Sequence, residues 1–160
     1  MADALHQLEE LTRRAVCEVF QSMVSMDVTA ETPASITDVV GEIVGSVGFV
    51  GDVTNGVIHL YTGVGFARKV TSQMLGIPLA EVESDEMIND AVGELSNMVA
   101  GYVKARLGDG RRACLLTIPS IVRGKRLSVE GSASVTRSIL GFRNGDAHFL
   151  VELLLKDSPK

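Results

Sequence analysis

Apolar residues recur at helical spacing near the start of this chain and again past its middle, with strand-like stretches between and after. Leu5, Leu8, Leu11, Ala15, Val19 and Met23 keep a helical period from about Asp3 to Met26, with charges between them. Thr32-Pro33 marks a break or an edge strand before the next regular segment. Val39 to Val50 predicts a long strand whose alternation is imperfect and whose glycines point to bends or close backbone approach. Gly51-Asp-Val-Thr-Asn-Gly56 has hairpin chemistry, with Asn55-Gly56 the stronger turn signal, and Val57 to Tyr61 is the returning strand. Thr62 to Gly65 turns the chain into a helix from about Phe66 to Leu75 that stops at Gly76-Ile-Pro78. A second long helix follows over Asp85–Leu107, stopped by Gly108-Asp-Gly110. Ala113 to Ile118 predicts a short buried strand, and Pro119 to Arg126 an irregular stretch. Ser134–Phe142 and Ala147–Leu155 predict two strands joined at Asn144-Gly145. No linker or low-complexity segment divides residues 1–160, so one domain is expected. The architecture is α+β: a largely antiparallel sheet of about five or six strands with the long helices packed on it.

The Asp85–Leu107 helix carries the most informative pattern. At about 100° per residue, Ile88, Val92, Leu95, Val99, Tyr102, Val103 and Arg106 fall on one side. Asp90, Glu94, Asn97 and Gly101 fall on the other, within an arc of roughly 60°. A carboxylate, Glu94, and a carboxamide, Asn97, therefore stand one turn apart on a narrow polar stripe, where both can touch one external object. Gly93 and Gly101 border the pair. Each costs about 1 kcal/mol relative to alanine inside a helix, and the missing side chains leave room for something to approach. Glu83-Ser84-Asp85 supplies a cap and acids where the helix dipole favours them.

Composition narrows the field of functions. The net charge of −5 offers no basic field for nucleic acid or an anionic membrane. No run of about 18 apolar residues predicts a transmembrane helix, and the charged N-terminus does not have the pattern of a signal peptide. Trp is absent, so Val, Ile, Leu, Met and Ala must build the core. Cys17 and Cys114 lie far apart in apolar settings, as reduced thiols of a cytoplasmic protein do. His6, His59 and His148 show no metal-ligand spacing, and no Ser or Cys has a nearby His to form a nucleophile–base pair. Thr62-Gly-Val-Gly65 lacks the residues of a phosphate loop. Arg111, Arg112, Arg123, Lys125 and Arg126 concentrate positive charge, for which a solvated loop is a better account than a partner site.

Asp90-x-x-x-Glu94-x-x-Asn97-x-x-x-Gly101 resembles the active-site helix of the CheC/CheX/FliY chemotaxis phosphatases, and the single good copy is most similar to the CheX type. The order of elements over most of the chain fits as well. Glu18-x-x-Gln21 repeats the acid–amide spacing, and some relatives carry two copies. Here Arg14 stands four residues upstream and the trailing glycine is missing, so a solvated helix face is the better account. The resemblance implies a phosphatase acting on the phospho-aspartate of a CheY-like receiver domain. Glu94 would anchor the partner and Asn97 would position the attacking water, with Asp90, Gly93 and Gly101 on the docking face. It implies no metal or cofactor of the protein's own, Mg²⁺ carried by the receiver, and a homodimer joined through its sheets. Val39 to Val50 is the segment expected to pair at that edge. The alternative is a non-catalytic receiver- or protein-binding module of the same fold.

Overall fold

The computed structural model describes residues 2–32, 41–51, 54–106 and 114–157. Outside this range fall Pro33, the tip of the first hairpin, the Gly108-Asp-Gly110 stop, Arg111, Arg112 and the last three residues. Helix α1 (Ala2–Val19) runs into a π-helical turn, Phe20–Val24. Then come β1 (Thr29–Glu31), β2 (Gly41–Gly51), β3 (Thr54–Thr62), α2 (Val64–Leu75), a 3₁₀ turn (Leu79–Glu81) and α3 (Asp85–Arg106). Four strands complete the chain: β4 (Cys114–Leu116), β5 (Ser120–Leu127), β6 (Thr136–Asn144) and β7 (Ala147–Asp157).

The fold is α+β, with seven strands in one sheet, one or two more than the pattern predicted. Their order is β1–β6–β7–β3–β2–β4, and β5 also pairs with β2, ahead of β4 along that strand. Every pairing among the described residues is antiparallel. One extra strand comes from a segment whose composition argues against it. Residues 120–127, predicted irregular because of Pro119 and the basic run, pair with β2 as β5. The short strand predicted over Ala113–Ile118 is present at 114–116, where it pairs with β2 at the sheet edge and Leu115 is 68% exposed rather than buried. β2 is consequently flanked by β3 on one side and by β4 and β5 on the other. The described part of the Val39–Val50 segment expected to pair with a second subunit, from Gly41 on, is thus an interior strand with no free edge over most of its length.

All three helices contribute to one core. Val16, Phe66, Val92 and Val99 meet Ile43, Val47, Leu60, Val151 and Leu153 there. Phe149 of β7 stacks on Phe20, Phe66 and Phe142 at ring-centroid separations of 4.9, 5.2 and 5.3 Å. This cluster unites four of the chain's five phenylalanines in a core that has no tryptophan.

Two glycines permit close approach. A Cβ on Gly45 would lie 2.2 Å from Ser96 Oγ and 3.1 Å from Val92 Cγ1. The bare backbone of β2 is therefore what lets α3 settle on the sheet. A Cβ on Gly56 would lie 2.5 Å from Phe49 Cζ and 2.6 Å from the Leu154 carbonyl. Asn55-Gly56 is thus not the turn its composition predicted: both residues belong to β3, opposite Val50 and Phe49. The second hairpin turns at Gly145 (φ +56°), directly after Asn144, as the sequence predicted.

The opposite face of the sheet carries a smaller apolar cluster. Val44 and Tyr61 are buried there with Leu127, Val129, Ile139 and Leu150 packed against them. The segment joining β5 to β6 is held to this face by Arg137, whose Nη2 donates to the Val129 carbonyl at 3.4 Å.

Candidate functional site on the exposed face of α3

Helix α3 begins where its chemistry predicts. Ser84 Oγ accepts from the Met87 backbone N–H at 3.2 Å, capping the first turn, while Asp85 and Glu86 face the positive end of the dipole. Lys104 and Arg106 occupy the last turn, where the dipole favours cations. Ile88, Ala91, Val92, Gly93, Leu95, Ser96, Val99, Ala100 and Val103 are buried. This buried arc is wider than the wheel implied, because α3 is covered by α1 and α2 on one flank and by β5 on the other. Arg106 departs from the predicted apolar side. Its guanidinium lies over the Tyr102 ring at 3.5 Å, and the residue is exposed.

What is left uncovered is the narrow stripe. Asp90 and Glu94 are exposed, Asn97 and Gly101 are half-buried, and a Cβ on Gly101 would meet nothing within 4 Å. No side-chain hydrogen bond or ion pair joins Asp90, Glu94 or Asn97 to another described residue. Polar residues on the adjoining flank behave differently. Arg123 of β5 donates to Asp85 Oδ1 at 2.6 Å and to Asn89 Oδ1 at 2.9 Å, fastening that flank to the sheet edge. Of this helix's acids and amides, those on one flank are bound up in the fold and the side chains on the stripe have no partner among the described residues. Gly93 lies on the covered side: a Cβ there would be 3.8 Å from both Pro119 Cβ and Ile121 Cδ1. It borders the stripe from beneath the start of β5 and is itself buried.

The degenerate copy on the first helix has another role. Tyr102 donates its phenolic proton to Glu18 Oε2 at 2.5 Å, joining α1 to α3. That hydrogen bond raises the Tyr102 pKa. Gln21 lies in the π-helical turn and is exposed. Glu18 is thus engaged within the fold, while the Glu94 side chain has no partner among the described residues.

One polar constellation escaped the sequence reading. Ser46 and His59 are register partners across β2 and β3, and Ser46 Oγ lies 2.7 Å from His59 Nδ1. A serine and a histidine do meet, through a cross-strand pairing that sequence separation conceals. Glu152 is the register partner of His59 on β7 and is fully buried. Both of its oxygens are occupied, one by the Arg137 guanidinium and the other by the Tyr61 hydroxyl at 2.6 Å. The carboxylate that would orient a catalytic imidazole is therefore committed elsewhere. Burial lowers the His59 pKa, with Glu152 opposing it, and raises that of Tyr61. The arrangement is a satisfied buried network on a flat sheet face. Among the described residues no group of three or more His, Cys, Asp or Glu could hold a metal ion. Cys17 donates to the Val28 carbonyl at 3.6 Å, and burial raises its pKa. No helix among the described residues is long and apolar enough to cross a membrane.

An antiparallel sheet with helices packed on it is a fold that known proteins share. Residues 43–143 match the family described as chemotaxis phosphatase CheX, and the chain belongs to that family. Over 143 residues it is 23% identical to the CheY-P phosphatase CheX of Thermotoga maritima, covering 86% of this chain and 91% of that one. The crystal structure of chemotaxis protein CheX from Vibrio vulnificus has the same fold, with a TM-score of 0.79 and 24% identity over 92% of this chain and 95% of that one. A chain of the CheX–CheY–BeF₃–Mg²⁺ complex from Borrelia burgdorferi superposes with a TM-score of 0.74 and 20% identity, covering 92% of this chain and 96% of that one.

Proposed function

We propose that this chain hydrolyses the phospho-aspartate of a CheY-like receiver domain, with Glu94 and Asn97 inserted beside the phosphoryl group. The observation that carries this reading is the pair itself: an acid and an amide one turn apart on an uncovered stripe, neither side chain with a partner among the described residues. Membership of the CheX family and the Borrelia complex supply the partner class.

The chemistry asks little of the protein beyond placement. An acyl phosphate is already prone to hydrolysis, and a receiver carries its own Mg²⁺ and lysine to neutralise the phosphoryl oxygens. The attacking water must stand in line with the bond between phosphorus and the aspartyl oxygen. Asn97 suits that role, because its carbonyl oxygen accepts from the water while its NH₂ donates to a phosphoryl oxygen. Attack forms the new P–O bond, the aspartyl carboxylate leaves with its electron pair, and inorganic phosphate takes up the water's proton. Glu94 pairs with the receiver's lysine and sets the distance between the two proteins. Asp90 and Gly101 extend the docking face on either side of the pair, and Gly93 borders it beneath the start of β5.

The test is phosphate release from a phosphorylated receiver of the same organism in excess Mg²⁺. Asn97→Ala is expected to lower kcat by about 10²-fold, the cost of a misplaced reactant, while receiver binding persists. Glu94→Ala is expected to weaken binding. Full turnover by the Asn97→Ala protein would overturn the mechanism. Tight binding by the wild-type protein without accelerated release would instead assign it to the non-catalytic binding modules of this fold.

This reading places the protein in the cytoplasm with its receiver and needs no metal or cofactor of its own. It also includes a homodimer. A light-scattering mass of one chain at micromolar concentration would exclude it.

A further inference from the structure

Ile118 is the most exposed large apolar side chain among the described residues, at 88%. It occupies the three-residue break between β4 and β5, and its backbone is held firmly. Thr117 donates its N–H to the Gly48 carbonyl at 2.9 Å and accepts the Gly48 N–H on Oγ1 at 2.9 Å. On the other side, Pro119 has a ring-restricted φ and lies over Gly93 of α3, one residue before Glu94. A side chain so exposed, set between the Thr117 that is tied to β2 and the Pro119 that touches the helix residue before Glu94, has the character of an interface anchor, because little freedom is lost on binding.

We propose that Ile118 is the apolar anchor of the receiver-docking surface, packing against the receiver while Glu94 and Asn97 reach its phosphoryl group. This inference rests on the function proposed above. Specific interfaces bury about 800 Å² on each partner, a patch roughly 30 Å across. One helical turn, about 5.4 Å long, cannot supply that area. A receiver centred on Glu94 and Asn97 therefore also covers the Thr117–Pro119 segment that touches the adjoining residue. Strand addition by a second copy of this chain is disfavoured at the same place. Pro119 interrupts the edge, and Lys125 and Arg126 farther along β5 are exposed, both of which blunt strand pairing.

The experiment measures kcat and KM for phosphate release from the phosphorylated receiver with the wild-type, Ile118→Ala and Ile118→Asp proteins, alongside light-scattering mass. Ile118→Ala is expected to raise KM about tenfold, the scale of a truncated interface anchor, with kcat at saturation unchanged. Ile118→Asp should raise KM further at unchanged mass. The opposite split, lost kcat with retained binding, belongs to Asn97→Ala. An unchanged KM for both Ile118 variants, while the wild-type protein turns over, would overturn the anchor and leave the phosphatase standing. A changed mass with unchanged KM would overturn it in favour of a contact between copies. Absence of both turnover and receiver binding in the wild-type protein would remove the proposed function and the anchor with it.

Discussion

The two glycines bordering the acid–amide pair make opposite predictions for docking and the same prediction for stability. Replacing an interior helical glycine with alanine gains about 0.8–1 kcal/mol from propensity alone. At Gly101 the new methyl meets nothing within 4 Å, so no steric cost opposes that gain. At Gly93 it meets Pro119 and Ile121 at 3.8 Å, an ordinary van der Waals distance, so the gain is kept there too. Both variants should melt about 2–4 °C above the wild-type protein, given the scaling for a chain of this size. Their activities should separate. A methyl at Gly101 stands on the open stripe, and overpacking a close contact costs about 1–3 kcal/mol. That is roughly 5- to 150-fold in kcat/KM for receiver dephosphorylation. A methyl at Gly93 stays beneath β5 and should leave kcat/KM within about twofold, well under the 1.4 kcal/mol of a tenfold change. The assays are thermal unfolding by circular dichroism and steady-state phosphate release. A Gly101→Ala protein that is stabilised yet fully active would refute the idea that the glycine provides docking clearance. A destabilised Gly93→Ala protein would refute the packing argument.

Gly45→Ala should destabilise by about 1–3 kcal/mol, since its Cβ would overlap Ser96 Oγ. Urea unfolding of Gly45→Ala, Ser96→Ala and the double variant should show favourable coupling, and strict additivity would contradict the geometry. His59 adds a pH dependence. Burial lowers its pKa, so between that value and the unfolded value of about 6.5 the unfolded chain binds more protons. Its contribution is present above about pH 6.5 and is lost as pH falls below it. The urea midpoint of wild-type protein should therefore drop more steeply than that of His59→Gln from pH 7.5 to 5, and parallel profiles would refute this. Tyr61 acts at the other extreme. Its pKa is raised by burial and by its hydrogen bond to Glu152. Above about pH 10 the unfolded chain releases the phenolic proton that the folded chain retains. Stability should fall there, and less so in Tyr61→Phe, as alkaline unfolding profiles of the two proteins would show.

How much of this was legible in the sequence depended on how local each signal was. The three helices and the Asn144-Gly145 turn follow from spacing and from residues a few positions apart, and all are present. The first hairpin misled because Asn55-Gly56 looks like a turn. Gly56 is there for a non-local reason, the Phe49 ring and the Leu154 carbonyl that crowd it. β5 was hidden by its own edge position. Proline and basic residues that argue against a strand in isolation are what a sheet margin carries to prevent unwanted pairing. The Ser46–His59–Glu152 row was out of reach altogether, because it exists only once the register of three strands is set.

The stripe on α3 falls between these cases. That Glu94 and Asn97 share a face is a matter of helical period and was readable. That Asn89 and Asp85 are bound up while Asp90, Glu94 and Asn97 are not depends on Arg123 arriving from β5, some thirty residues later. The structure thus contributes a partition of the helix's polar residues into those that hold α3 to the sheet and those left unengaged. Gly45 beneath the helix and Arg123 beside it fix the position of α3 on the sheet, so the acid–amide pair is presented by a rigid support. A site whose proposed work is to place one water gains most from that rigidity, since placement is the whole of its contribution.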